Sequence, residues 1–272
     1  MKKPAFKLLA VAAALSLAAF GANAADANVT NNVIFGSGVS NGNFTVNNIL
    51  DGGVEIGLRA RVRFDAANMP TNDNASTGNG TYNVPNGSPT PGFSWQQNST
   101  STAKWNFDWS VNTDPTGTGG AKIDGYTYLL SMDFDPGVGT NFLTFDPITG
   151  LNTLKSGTML WDHGIGDNTT ATGAGAELDE DNAANAGAYA SAINTNNLVQ
   201  NSWNYEFFDS GSWPFNSAIA GAYTILLEAF DRNNDRVSAS QIVVNVPEPG
   251  SLALIGLALT GLAVSRRRKQ AK

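Results

Sequence analysis

The chain contains one histidine, which is the first residue to consider for chemistry. His163 lies between Asp162 and Asp167, so two carboxylates are close to it in sequence. A histidine beside carboxylates is able to act as a general base or to bind a metal ion. Acyl transfer would also need an activated serine, but the sequence has no G-x-S-x-G motif. We therefore favour a loop histidine, and we predict no catalytic residues.

Acidic segments offer two weak candidate sites for Ca²⁺, a cation that prefers several carboxylate and carbonyl oxygens. One places oxygen-bearing side chains at alternate positions, namely Asp231, Asn233 and Asp235. Arg236 and Ile242 stand where an EF-hand needs its glycine and glutamate, so a polar turn is the better interpretation. The other is the acidic run that includes Glu177, Asp179 and Asp181. Because such runs are more typical of solvated loops, we predict no cofactor and leave Ca²⁺ as an alternative.

Composition excludes several classes of site. The chain has no cysteine, which removes disulfides, cysteine-ligated metals and thiol nucleophiles together. A net charge of −7 argues against a nucleic-acid partner, because such a protein needs cations to neutralise phosphates. Asp133 and Asp135 share a predicted strand face, but one such pair is weak support for a glycosidase.

Aromatic residues raise the question of sugar binding. Trp105, Phe107 and Trp109 alternate along one predicted strand, a pattern that more often belongs to a sandwich core than to a stacking surface. Three other tryptophans lie near turn signals, and we expect them to be better candidates for exposed contacts: Trp95, Trp203 and Trp213.

Alternating apolar and polar residues predict the strands that would position these groups. The clearest run is 54–64, where six apolar residues alternate with polar ones and predict a half-buried antiparallel strand. Its polar face carries Arg59, Arg61 and Arg63. Further strands are predicted at 104–111, 126–135, 142–145, 158–161, 203–208, 223–230 and 241–246.

The segments between these strands are rich in Asn, Gly, Thr and Pro. Residues 69–93 predict a long exposed loop or an irregular excursion, and the Ala-rich residues 182–194 predict one helix. Together the patterns predict an all-β fold, an antiparallel β-sandwich that is immunoglobulin-like or jelly-roll-like with one inserted short helix. The final pair of strands, 221–231 and 242–246, resembles the closing strands of immunoglobulin-like extracellular modules, which bears on the fold and not on activity.

The first 24 residues have the three parts of a signal peptide. Lysines at positions 2, 3 and 7 precede the uncharged apolar stretch 8–20, which at 13 residues is too short for a stable span. Ala22 and Ala24 then supply small residues at −3 and −1 of a cut before Ala25. We predict that residues 1–24 are a signal peptide read by the general secretion machinery, and that a secreted body begins at Ala25.

A second apolar segment, 252–264, lies between two distinctive sequences. Pro247, Glu248 and Pro249 precede it, and two prolines so close together end regular structure. A basic cluster follows it, made of Arg266, Arg267, Arg268 and Lys269. The 15 uncharged residues 250–264 are short against the roughly 20 that span a membrane, and the cluster favours a cytoplasmic end. The pattern predicts a short membrane helix with the body outside.

This order of Pro-Glu-Pro, short apolar helix and arginine cluster resembles a PEP-CTERM sorting domain over residues 247–272. The resemblance implies recognition by exosortase, a membrane transpeptidase-like enzyme of Gram-negative bacteria, and processing near the Pro-Glu-Pro sequence. It also implies transient anchoring in the inner membrane, followed by release or re-anchoring at the cell surface or in the extracellular matrix. Proteins of this kind are usually associated with exopolysaccharide production and biofilms.

Separation of both ends leaves a β-sandwich body, residues 25–246, with 8 basic and 22 acidic residues and a net charge of −14. We expect this body to be a structural or adhesive component of the surface or matrix, without catalytic activity. Its expected partners are exosortase, the secretion machinery and extracellular polysaccharide. The alternative is a secreted carbohydrate-binding or Ca²⁺-dependent lectin-like module, and an exported hydrolase is less favoured.

Overall fold

Two β-sheets packed face to face form the body. The structure, a computed structural model, describes residues 25–30, 42–47, 53–65, 70–89, 100–149, 163–178, 186–248 and 250. Several predicted features lie outside the described residues: the signal segment 1–24, the strand at 158–161, the apolar segment 252–264 and the basic cluster 266–269.

Eight strands form the first sheet, called sheet I. They are β1 (Ala25–Ala27), β2 (Phe44–Asn47), β3 (Glu55–Phe64), β4 (Pro70–Asn74), β7 (Trp105–Asn112), β10 (His163–Gly166), β11 (Ala176–Leu178) and β12 (Leu198–Trp203). Their order is β1-β2-β3-β7-β12-β10-β11, and β4 also pairs with β3. Every one of these pairings is antiparallel.

Six strands form the second sheet, called sheet II. They are β5 (Ser76–Gly78), β6 (Thr81–Asn83), β8 (Thr127–Asp133), β9 (Phe142–Phe145), β13 (Gly221–Phe230) and β14 (Arg236–Val246). Their order is β5-β6-β14-β13-β8-β9, with β6 parallel to β14 and the other pairings antiparallel. The described residues also form one α-helix, α1 (Ala186–Thr195), and two 3-10 turns, Ile123–Gly125 and Tyr205–Phe208. The all-β prediction with one inserted helix is confirmed.

Aromatic side chains fill the space between the sheets. The Trp105 ring on β7 lies 5.2 Å from Tyr205 and 6.2 Å from Tyr223 on β13, centroid to centroid. Phe107 and Trp109 point to the same side of β7 and are buried. Alternating inward residues of two stacked sheets are what builds a sandwich core, so the core interpretation of this aromatic strand is confirmed.

The outer face of sheet I is also buried, which corrects the expectation of a half-buried β3. Arg59 and Arg61 are only 3% and 2% exposed. Asp108 lies beside them on β7, directly opposite Arg59 in the strand register. The two arginines bind this carboxylate, so their charges are compensated inside the protein rather than by water.

Two other local predictions were wrong. Residues 70–83 form β4, β5 and β6 instead of a loop, because β3 and β14 supply backbone partners that composition does not reveal. The strand predicted over 203–208 ends at Trp203, where Asn204 turns the chain. The Asn204 side chain accepts a hydrogen bond from the Glu206 amide and donates to the Ala103 carbonyl, which fixes the 3-10 turn.

Within the described ranges, no helix combines the length and the apolar character that crossing a membrane requires.

Candidate functional site

The Pro-Glu-Pro sequence directly continues the last strand of the sandwich. Val246 is buried and pairs with Gly221 on β13, and the Asn245 carbonyl accepts a hydrogen bond of 3.0 Å from the Val84 amide. Pro247 and Glu248 follow at once and are exposed, while Pro249 lies outside the described residues. The folded sheet and the motif are therefore adjacent, with no residue between them.

The other end of the body is also tied into the sheet. Ala25 begins β1 and pairs with Val46 on β2. The predicted cut before Ala25 would leave β1 as the mature amino terminus. Ala22 and Ala24 lie outside the described residues, and cleavage at this bond stays a prediction.

His163 is a core residue on β10, which corrects the loop prediction. It is fully buried, and its ring lies 5.1 Å from the Trp109 ring, centroid to centroid. Nε2 is 2.6 Å from the Pro147 carbonyl oxygen, and Nδ1 is 3.4 Å from the Asn201 amide nitrogen. These two contacts fit a ring in which Nε2–H donates to the carbonyl and Nδ1 accepts from the Asn201 amide. The imidazole therefore holds the core to the loop at Pro147.

The buried charges of sheet I form one compact group. Asp108 accepts hydrogen bonds from Arg61 Nε at 2.9 Å and from Arg59 Nε at 2.8 Å. Arg61 also donates to the Ser202 hydroxyl, and the Arg59 guanidinium lies 4.2 Å from the Phe44 ring centroid. Burial alone would raise the pKa of Asp108, but the Arg61 and Arg59 charges hold that pKa below its usual value. This group joins β3, β7 and β12.

The candidate Ca²⁺ ligand Asp231 caps the turn between β13 and β14. Its Oδ1 accepts from the amides of Asn233 at 2.8 Å and Asp235 at 2.9 Å, and its Oδ2 accepts from the Asn233 side chain. Backbone hydrogen bonds, that from Asp235 first, lower the pKa of Asp231. Asp231, Asn233 and Asp235 are thus brought together as a polar turn.

The second Ca²⁺ candidate is described only in part. Glu177 lies on β11, where the structure describes its backbone but not its side chain, and Asp179 and Asp181 lie outside the described residues. Within the described part of the chain, no group of three or more acidic or histidine side chains converges as metal binding would require.

Of the three tryptophans predicted to be exposed, the structure describes Trp203 and Trp213, and neither is exposed. Trp203 is 3% exposed and packs against the rings of Trp109 and Phe208, so the expectation of exposure was wrong for it. Trp213 is half-buried against Phe134, and Trp95 lies outside the described residues.

An open cleft of about 580 Å³ lies beside the Asp231 turn, and the sequence did not predict it. It is formed by the 3-10 turn before β8, the end of α1 and the β13–β14 turn. Its lining residues are Gly120, Ala121, Lys122, Asp124, Gly125, Tyr126, Asn194, Asp231 and Arg232. Apart from Asp231, none of these gave a signal, because single polar residues in turns look alike until the fold brings them together.

Comparison with known proteins identifies the carboxyl-terminal segment. Residues 245–269 match the model of the PEP-CTERM protein-sorting motif. No curated protein matches the chain at a significant level. The chain therefore carries a PEP-CTERM sorting motif, and the predicted resemblance is confirmed. The protein is exported and targeted to exosortase, and its sorting is associated with the membrane.

Proposed function

We propose that this protein is a component of the cell surface or the extracellular matrix, to which exosortase processing delivers it. In this role the β-sandwich body is structural or adhesive and has no catalytic activity. The observation that carries the proposal is the sorting motif over 245–269, which begins within β14 of the folded body. Extracellular polysaccharide is the partner that such a destination would offer.

The interior of the body supports a non-catalytic role. His163 is held by Pro147 and Asn201 inside the core, where an external substrate does not reach it. Asp108 is likewise held by two arginines under the outer face of sheet I. These polar groups connect strands and loops inside the sandwich, which suits a protein whose task is to persist outside the cell.

Replacement of the motif prolines tests the proposal. The double variant Pro247→Ala/Pro249→Ala should stay in the membrane fraction with its carboxyl-terminal mass intact, while the parent reaches the surface or matrix in shortened form. Fractionation and intact-mass spectrometry measure both properties. Pro214→Ala, at an exposed proline of the body, is the matched control and should behave as the parent. Identical location and mass for the double variant and the parent would refute exosortase processing at this sequence.

A further inference from the structure

The cleft beside the β13–β14 turn contains two basic side chains, Lys122 and Arg232, and the charge of Lys122 also helps to lower the pKa of Asp167. Within the described part of the chain, neither Lys122 nor Arg232 has a side-chain hydrogen bond or an ion pair. Three arginines of the body do have carboxylate partners. Arg59 and Arg61 bind Asp108, and Arg236 binds Glu228 at 2.9 Å. In a body with a net charge of −14, the cleft therefore combines two cations able to pair with a ligand carboxylate and two carboxylates, Asp124 and Asp231.

Internal hydrogen bonds hold the two carboxylates of the cleft in position. Both carboxylates remain able to accept further hydrogen bonds. Asp231 caps its own turn through Asn233 and Asp235. Asp124 accepts from the Asn194 side chain at 2.8 Å through Oδ2. Each carboxylate has about four lone-pair sites, so both are able to accept further hydrogen bonds from a ligand that brings donors.

Tyr126 adds a flat, half-buried ring to the same cleft. Burial raises the pKa of the Tyr126 phenol, and the charges of Asp231 and Asp114 raise it further. The phenol is therefore protonated at neutral pH and is able to donate a hydrogen bond to a ligand. An amphipathic ring beside a few converging polar groups is typical of sites that bind small molecules and sugars.

We propose that this cleft binds acidic saccharides, with Lys122 and Arg232 on the sugar carboxylate, Tyr126 against the ring, and Asp124 and Asp231 accepting from hydroxyl groups. The proposal rests on the proposed function, because it names the class of matrix partner. A ligand with one carboxylate and many hydroxyls matches both the basic and the acidic side chains of the cleft. A phosphate offers few hydrogen-bond donors, so it would leave the two aspartates without ligand partners.

Calorimetry on the processed protein, purified from the producing cells, tests this inference. The probes are tetragalacturonate and tetramannuronate as acidic saccharides and cellotetraose as a neutral one. We expect at least one acidic probe to bind about tenfold or more tightly than the neutral probe, since hydrogen bonds between charged groups are the stronger kind. Binding should weaken as salt is added.

Variants locate the binding. Lys122→Gln and Arg232→Gln should each weaken binding of the acidic probe by about tenfold, which corresponds to about 1.4 kcal/mol of binding free energy. Tyr126→Ala should abolish it, and Tyr126→Phe should keep most of it because the ring remains. Lys104→Gln removes the same charge outside the cleft and should leave affinity within about twofold, as expected of a distant surface charge.

Three outcomes would overturn the inference. They are equal binding of acidic and neutral probes, a loss in Lys104→Gln as large as in Lys122→Gln, and no binding of either acidic probe. The location and mass of the same protein are recorded in parallel. If the protein is processed and reaches the surface but binds no saccharide, saccharide binding at the cleft is refuted and the proposed destination is not. If the protein is not processed, the proposed destination is refuted.

Discussion

Asp108 is the residue on which the buried polar face of sheet I depends. Its two oxygens are divided between Arg61 and Arg59, which come from the neighbouring strand β3. Desolvation of two guanidiniums is costly, and a carboxylate held between them offsets that cost. One side chain therefore allows two charged residues to be buried on the same strand.

Asp108→Ala should lower the free energy of unfolding by about 3–5 kcal/mol, because it removes one partner from a buried charge group. Urea unfolding followed by tryptophan fluorescence measures the change. Glu228→Gln is the control: Glu228 is also largely buried, with an 11% exposed side chain, but its partner Arg236 is 42% exposed and stays in contact with water. Because a glutamine oxygen is able to accept the same hydrogen bond, this variant should cost less than about 1 kcal/mol. Equal losses in the two variants would contradict the importance of burying both arginines beside Asp108.

Glu206 makes the stability of the body depend on pH. Burial raises the pKa of Glu206, against the opposing hydrogen bond from the Thr102 hydroxyl. The folded state therefore holds this proton to a higher pH than the unfolded state does. Stability from this group is present below the usual glutamate pKa, about 4.3, and is lost as pH rises through the raised value.

Glu206→Gln should consequently gain stability relative to the parent as pH rises from about 4 to 7, since usual glutamate titration begins near 4.3 and the variant cannot ionise. Urea unfolding of both proteins at several pH values gives the difference. Two stability curves that run parallel across this range would rule out a raised pKa for Glu206.

At the scale of elements, β13 begins where it touches the β8–β9 turn. A Cβ at Gly221 would lie 2.2 Å from the Pro136 carbonyl oxygen, and the Ala222 amide donates to that same oxygen at 3.2 Å. Because backbone blocks the space, an added methyl has to displace the turn or the strand.

Gly221→Ala should therefore destabilise the body by about 1–3 kcal/mol, the usual range for overpacking. Thermal or urea unfolding is the measurement. Gly211→Ala is the matched control, because a Cβ at Gly211 meets no atom within 4 Å, and its effect should stay within about 0.5 kcal/mol. A harmless Gly221→Ala would show that this contact is easily relaxed.

Alternation of apolar and polar residues predicted the strands that face the aromatic core. It missed the strands that form only because neighbouring strands offer backbone hydrogen-bond partners. β3, β7 and β13 alternate in sequence because one face of each meets the other sheet. The segment His163-Gly-Ile-Gly of β10 has no strong strand propensity, and it is a strand because β12 and β11 pair with it on either side.

The candidate site was less predictable than the fold. Asp231 was identified from its spacing to Asn233 and Asp235, which is a local signal. Its neighbours in the cleft come from distant parts of the chain, such as Lys122 and Asn194, and only the packing of α1 and the sheet II turns brings them together. The sorting motif was predictable because its parts are contiguous and need no tertiary structure to be recognised.

For the whole molecule, charge is divided unevenly between body and ends. The two terminal segments hold 8 of the 16 basic residues but only 1 of the 23 acidic ones. Removal of both segments leaves a net charge of −14, twice that of the full chain. Isoelectric focusing of the exported protein should accordingly give a pI below the 4.6 of the full chain. A product that focuses at 4.6 with the full mass would contradict removal of the ends.

The direct continuation of β14 into the motif limits how far the body stands from the lipid before processing. Only the five residues 247–251 separate Val246 from the start of the apolar segment 252–264. At about 3.6 Å per extended residue, the six steps from Val246 to residue 252 reach at most about 22 Å. With that segment inserted as predicted, the linker would hold the sandwich close to the membrane surface. Any enzyme that acts on the motif must then fit between the folded body and the membrane surface. The length of the linker 247–251 therefore limits access to the motif as much as the motif sequence does.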